Sequence, residues 1–135
     1  MTRAAGLMTA QALLAALLVG LAACGGGDDG TPTGPGSTPG PSGATITIAE
    51  GRVTPSSVTI DVGQSVTFIN NNGRGHNVTS DPHPNHTECP AINAVGNLAN
   101  GQTRLTNALT TARTCGFHNH DDPDNANFRG SIIIR

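Results

Sequence analysis

The sequence predicts one small all-β sandwich, on three observations. From Ala44 onward, short runs alternate apolar with polar residues, as in "ATITIAE" and "SVTFIN", the period of two that marks half-buried strands. Turn-forming residues separate these runs, as in "DVGQ" between two of them, where Gly and Asp tolerate the backbone angles of tight turns. No run carries a helical period, and several short strands at this spacing indicate two packed sheets.

The elements follow in order. Strands are expected at Ala44–Glu50, Val58–Ile60, Ser65–Asn70 and His76–Ser80, then at Gly101–Thr106, Ala108–His120 and Gly130–Arg135. The core is expected from Ile46, Ile48, Val58, Ile60, Val66, Phe68, Phe117 and alternate members of Ile132–Ile134. Between His76 and Leu98 the chain is rich in Pro, Asn, His and Asp, "SDPHPNHTECPAINAVGN". A loop of that length in a small domain is typically functional or disordered. Since it carries His83, His86 and Cys89, it is read as functional.

Upstream of the domain, residues 1–23 have Arg3 and then an apolar run, the layout of an export signal. The densest apolar part, Ala12 to Ala23, is shorter than the roughly 20 residues that span a bilayer. It ends in "LAAC", which resembles the bacterial lipobox, and this implies lipidation of Cys24. Residues 24–43 hold that cysteine and a Gly/Pro/Ser/Thr tether with nothing to bury. Residues 44–135 are the folded domain. The expectation is an exported, membrane-anchored lipoprotein, periplasmic or at the cell surface. Gly25 in place of an acidic retention residue favours the outer membrane.

Composition excludes several function classes. The chain has no lysine, seven arginines and nine acids, so it lacks the basic patch of a nucleic-acid binder. Tyr and Trp are absent, which argues against an aromatic carbohydrate platform. No nucleophile-elbow motif is present, and no phosphate, nucleotide or flavin signal. A zinc hydrolase using Asp121 or Asp122 as base would need an open three-ligand site and is disfavoured. The chain is read as not an enzyme.

All five histidines fall in two places: His76, His83 and His86 in one, His118 and His120 in the other. Imidazole suits copper, zinc, nickel and iron. On a strand running through His120, His118 and His120 point to one face, while Cys115 and Phe117 take the other. Cys89 and Cys115 are left once Cys24 is lipidated, and two cysteines in an oxidising compartment most simply form a disulfide.

The run "VTPSSVTIDVGQSVTFINN", followed by "HNVTSD", "GQ", a histidine-bearing strand end and "GSIIIR", resembles the cupredoxins, the plastocyanin/azurin-type copper-binding domains. The resemblance covers Ala44–Arg135. It implies a Greek-key β-sandwich, copper as cofactor, and electron transfer or copper handling with a protein partner for redox or metal exchange. It places His76 as the first ligand. The usual thiolate position falls on Asn119, and Phe128 stands two residues before Gly130, where the family has Met.

Two site models follow. In one, Cys89 and Cys115 form a disulfide, and His76, His118 and His120, helped by His83 or His86, hold copper through nitrogen. In the other, Cys115 is the thiolate of a type 1 site with His76 and His118; this leaves Cys89 as an unpaired thiol, which favours the first model. A reading from another class is a metal-free sandwich serving as a surface interaction module, with the histidines merely solvated.

Overall fold

The computed structural model describes residues 39–135. The expected signal segment, residues 1–23, Cys24 and nearly all of the expected tether lie outside the described residues. The first strand begins at Ser42, two residues ahead of the expected boundary.

Among the described residues, nine strands build the domain. They are β1 (Ser42–Ala49), β2 (Arg52–Thr54), β3 (Ser57–Ile60), β4 (Ser65–Asn70), β5 (His76–Ser80), β6 (Gly96–Leu98), β7 (Thr103–Leu105), β8 (Arg113–Asn119) and β9 (Arg129–Ile134). Two short 3₁₀ turns, Pro90–Ala94 and Ala126–Phe128, interrupt the loops. The strands form two mixed sheets, ordered β2-β1-β4-β7 and β3-β9-β8-β5-β6. All seven expected strands are present. β8 is shorter than expected: it starts at Arg113 and stops at Asn119, one residue before His120.

The expected core residues all lie in the core. The last strand shows the alternation plainly, with Ile132 and Ile134 buried and Ile133 exposed. Between the sheets, Phe68 of β4 meets Phe117 of β8 edge to face, with ring centroids 5.2 Å apart. That arrangement suits the aromatic quadrupoles and adds about 1 kcal/mol beyond the area buried. The core also takes residues without strand periodicity: Ile92 and Val95 from the histidine loop, Leu109, and Phe128 beside the last strand. The long loop is thus packed down by its own apolar residues.

The five-stranded sheet sets the orientation of everything functional. Across β5 and β8, Thr79 pairs with His118 and Ser80 with Phe117. Directly paired residues share a face, and neighbours along a strand alternate. Because Phe117 reaches the other sheet, its face is the inner one. His76, Val78, Ser80, Cys115, Phe117 and Asn119 therefore belong to the inner face, and Thr79, Gly116 and His118 to the outer.

Candidate metal centre

The outer face carries the cluster. His118 projects from β8, His120 follows just past its end, and the loop after β5 folds back with His83 and His86. One ring nitrogen from each of these four histidines lies within 4.8 Å of the others. Four nitrogens around one ion at about 2.0 Å would stand roughly 3–4 Å apart. Closure by roughly 1–2 Å therefore separates the observed group from a coordination shell. The closest approach is already at hydrogen-bond distance, His120 Nδ1 to His86 Nε2 at 3.1 Å. Ring centroids of the other pairs stand close as well: His83 to His120 at 5.1 Å and His86 to His118 at 5.2 Å.

Backbone bonds place His120 and His86, and side-chain contacts orient His118. His120 lies beyond β8, yet its N–H donates to the Asn77 carbonyl at 2.7 Å, so the turn keeps strand-like attachment. His86 has a φ of 51°, a left-handed conformation unusual for a residue with a Cβ. Its N–H donates to the Pro82 carbonyl at 2.8 Å, and Asn93 Nδ2 donates to its carbonyl at 3.0 Å. His118 is 1 % exposed, and its Nδ1–H donates to Asp81 Oδ1 at 2.6 Å. Its Nε2 is 3.3 Å from the Thr79 hydroxyl. His83 is exposed and stands on an open cleft of about 310 Å³ with Asp81, His118, Pro123, Asp124 and Arg129.

Electrostatics favour the form of the ring that binds metals. Burial holds the His86 pKa below its usual value, and the neighbouring His120, His118 and His83 lower it further, against the pull of Asp81. The neutral ring with a free lone pair is the metal-ligating form.

The structure separates His76 from the other four. It lies on the inner face of the same sheet, 2 % exposed, with its ring 4.6 Å from that of Phe128. Its Nε2 is bonded to Asn72 Nδ2 at 2.9 Å, while its Nδ1 is buried with no partner among the described residues. Burial lowers its pKa, Arg74 lowers it further, and Asp121 opposes them. The sequence reading grouped His76 with His118 and His120, helped by His83 or His86; the structure brings His83, His86, His118 and His120 together and sets His76 on the opposite face. Strand parity carries the reason: His76 and His118 leave opposite faces of the same sheet.

Cys115 is bonded to Cys89, so it is no thiolate ligand, and the type 1 model built on it falls. Cys115 lies on the inner face with Phe117, as its parity requires. The disulfide fastens the foot of the histidine loop to the strand that carries His118. Asp81 went unrecognised as part of the site; "SDPHP" offered no signal that its carboxylate would reach His118.

Residues 45–130 match the sequence pattern of the copper binding proteins of the plastocyanin/azurin family. No curated protein matches the chain. Among solved structures, the purple cupredoxin from Nitrosopumilus maritimus is similar at 19% identity, over 68% of this chain and 99% of that one, with a TM-score of 0.53. Plastocyanin from Dryopteris crassirhizoma matches at 18% identity over 67% and 99% of the two chains, TM-score 0.53. Amicyanin from Paracoccus versutus matches at 16% identity over 69% and 81%, TM-score 0.54. At these identities the structures speak for the fold. The match covering most of the folded domain speaks for the family: this chain belongs to the plastocyanin/azurin family of copper binding proteins.

Proposed function

We propose that this protein binds copper through His83, His86, His118 and His120, on an exported domain tethered to a membrane through Cys24. The observation that carries the reading is the convergence of four ring nitrogens within 4.8 Å. The donor set fits: imidazole nitrogens suit Cu(II), and the 3.1 Å contact between two rings already brings two donors together. Bound copper would supply a one-electron couple, and electron transfer is the role the family supports.

Copper handling is the second reading, and the donor set favours it. A site of nitrogen ligands lacks the soft thiolate that suits Cu(I). The exposure of His83 also leaves one ligand within reach of a partner. The lipobox-like "LAAC" and the Gly/Pro-rich tether support the anchored, exported placement. The partner would be a redox protein or a copper donor or acceptor.

The test is Cu(II) titration of the purified chain, read by visible absorption and electron paramagnetic resonance. The expected result is one ion per chain, nitrogen hyperfine structure, weak d–d absorption and no intense thiolate-to-copper band. Failure to bind any transition metal would overturn the reading and leave a surface interaction module.

A further inference from the structure

Asp81 makes five polar contacts, two of them to β8. Its N–H donates to the Gly116 carbonyl at 3.0 Å. Its own carbonyl accepts from the Glu88 N–H at 2.9 Å and from the Ser80 hydroxyl at 3.0 Å. Its Oδ1 accepts from His118 Nδ1 at 2.6 Å, and its Oδ2 faces Arg129 Nη2 at 3.6 Å. Glu88 closes the ring, since its Oε2 accepts from the Gly116 N–H at 2.7 Å. Both backbone groups of Gly116 are therefore spent on the two ends of the segment that presents His83 and His86.

The Asp81 carboxylate can lie there only because Gly116 has no side chain. A Cβ at position 116 would overlap the carboxylate itself. Gly116 and His118 are two apart on β8 and share the outer face, so the space left by Gly116 is where a group bonding His118 Nδ1 can sit.

We propose that Asp81 is a positioning residue of the histidine centre, seated in the notch at Gly116, and that it fixes His118 as the tautomer protonated at Nδ1, whose Nε2 lone pair takes metal in place of the long 3.3 Å contact to the Thr79 hydroxyl. This rests on the four-histidine reading of the site. A carboxylate that accepts from one ring nitrogen raises the basicity of the other and holds the ring angle, and loss of such a partner weakens metal affinity by about 10–100-fold. The same residue sets the loop's base through its main chain, so the geometry of His118 and the placement of His83 and His86 share one support.

The experiment compares the purified chain with Asp81→Asn and Gly116→Ala. In the metal-free proteins, nitrogen-15 NMR reads the His118 tautomer. The native chain should be protonated at Nδ1, and both variants should shift toward a mixture or the other tautomer. Cu(II) affinity should fall about 10–100-fold in each, with altered nitrogen hyperfine couplings. Asp81→Glu, seated on the native Gly116, should recover less than full affinity. An unchanged tautomer in Asp81→Asn overturns the proposal, even if affinity falls through general loosening, which the melting temperature would report. An unchanged affinity with a shifted tautomer overturns it as well. If the native chain binds no copper, the four-histidine reading fails, while the metal-free tautomer measurement still decides what Asp81 does to His118.

Discussion

His76 and His118 are both almost wholly buried and stand on adjoining strands of one sheet, yet they live in opposite chemical worlds. His76 faces inward, its ring tilted against Phe128, with one ring nitrogen bonded to Asn72 and the other without a partner among the described residues. His118 faces outward beneath a loop, with one nitrogen bonded to Asp81 and three further imidazoles close by. Residue type and burial are the same for both. The face of the sheet is what differs, and it decides whether a buried imidazole packs beside Phe128 or joins the histidine cluster.

The sharpest way to break the contrast is to delete each ring. His118→Ala should abolish stoichiometric copper binding while the far-ultraviolet circular dichroism stays that of a folded β-domain. His76→Gln should leave copper stoichiometry unchanged. Loss of binding in the second variant would return His76 to the ligand set.

The next effect concerns the staple beneath the outer face. The Cys89–Cys115 bond spans a sequence separation of 26. For a loop of that size, chain-entropy arguments give about 3–4 kcal/mol of stabilisation. Replacing both cysteines by alanine, which avoids a buried hydroxyl, should lower unfolding free energy by that order in urea titrations. It should also weaken copper binding by loosening the foot of the loop. A variant with native stability would show that the apolar packing of Ile92 and Val95 holds the loop without help.

A smaller effect belongs to the inner face. His76→Ala removes a ring fully enclosed beside Phe128 and should cost about 2–3 kcal/mol, in the range for emptying core positions. His76→Phe keeps the ring and removes the unpartnered nitrogen, so it should cost less than His76→Ala in the same titration.

The smallest effect is a pH slope. The His76 pKa is lowered by burial and by Arg74. The unfolded chain therefore takes up a proton more readily than the folded one. Stability of the metal-free chain should be complete above the ordinary histidine value of about 6.5 and decline as pH falls below it. His86 contributes in the same direction. His76→Phe should flatten part of this slope; a slope identical to the native one would assign the whole acid sensitivity to the outer cluster.

Much of the fold was legible in the sequence because its long strands alternate cleanly, from "ATITIAE" to the buried–exposed–buried pattern at the end. β2 and β6 were missed: each has three residues and pairs through backbone without a period to read. Ile92, Val95 and Phe128 were missed because a residue packed from a loop leaves no periodic trace. The histidine centre was legible in part. Parity along β8 separated Cys115 from His118 correctly. The same argument along β5, where Val78 marks the core face, would have turned His76 inward, since it lies two residues away. That His83 and His86 complete the group depends on how the loop closes, which is set by the disulfide and by hydrogen bonds to Gly116 between residues about thirty apart.

The backbone of Gly116 has a consequence beyond the metal. β5 ends at Ser80, and past that point the flank of β8 would be a bare strand edge, open to pairing with another chain. Asp81 and Glu88 occupy it, one through its N–H and the other through its carboxylate. The segment that gathers the imidazoles is also the guard on that edge. A chain whose loop is prised away should become prone to self-association, so that ligand geometry and solubility are governed by the same few hydrogen bonds.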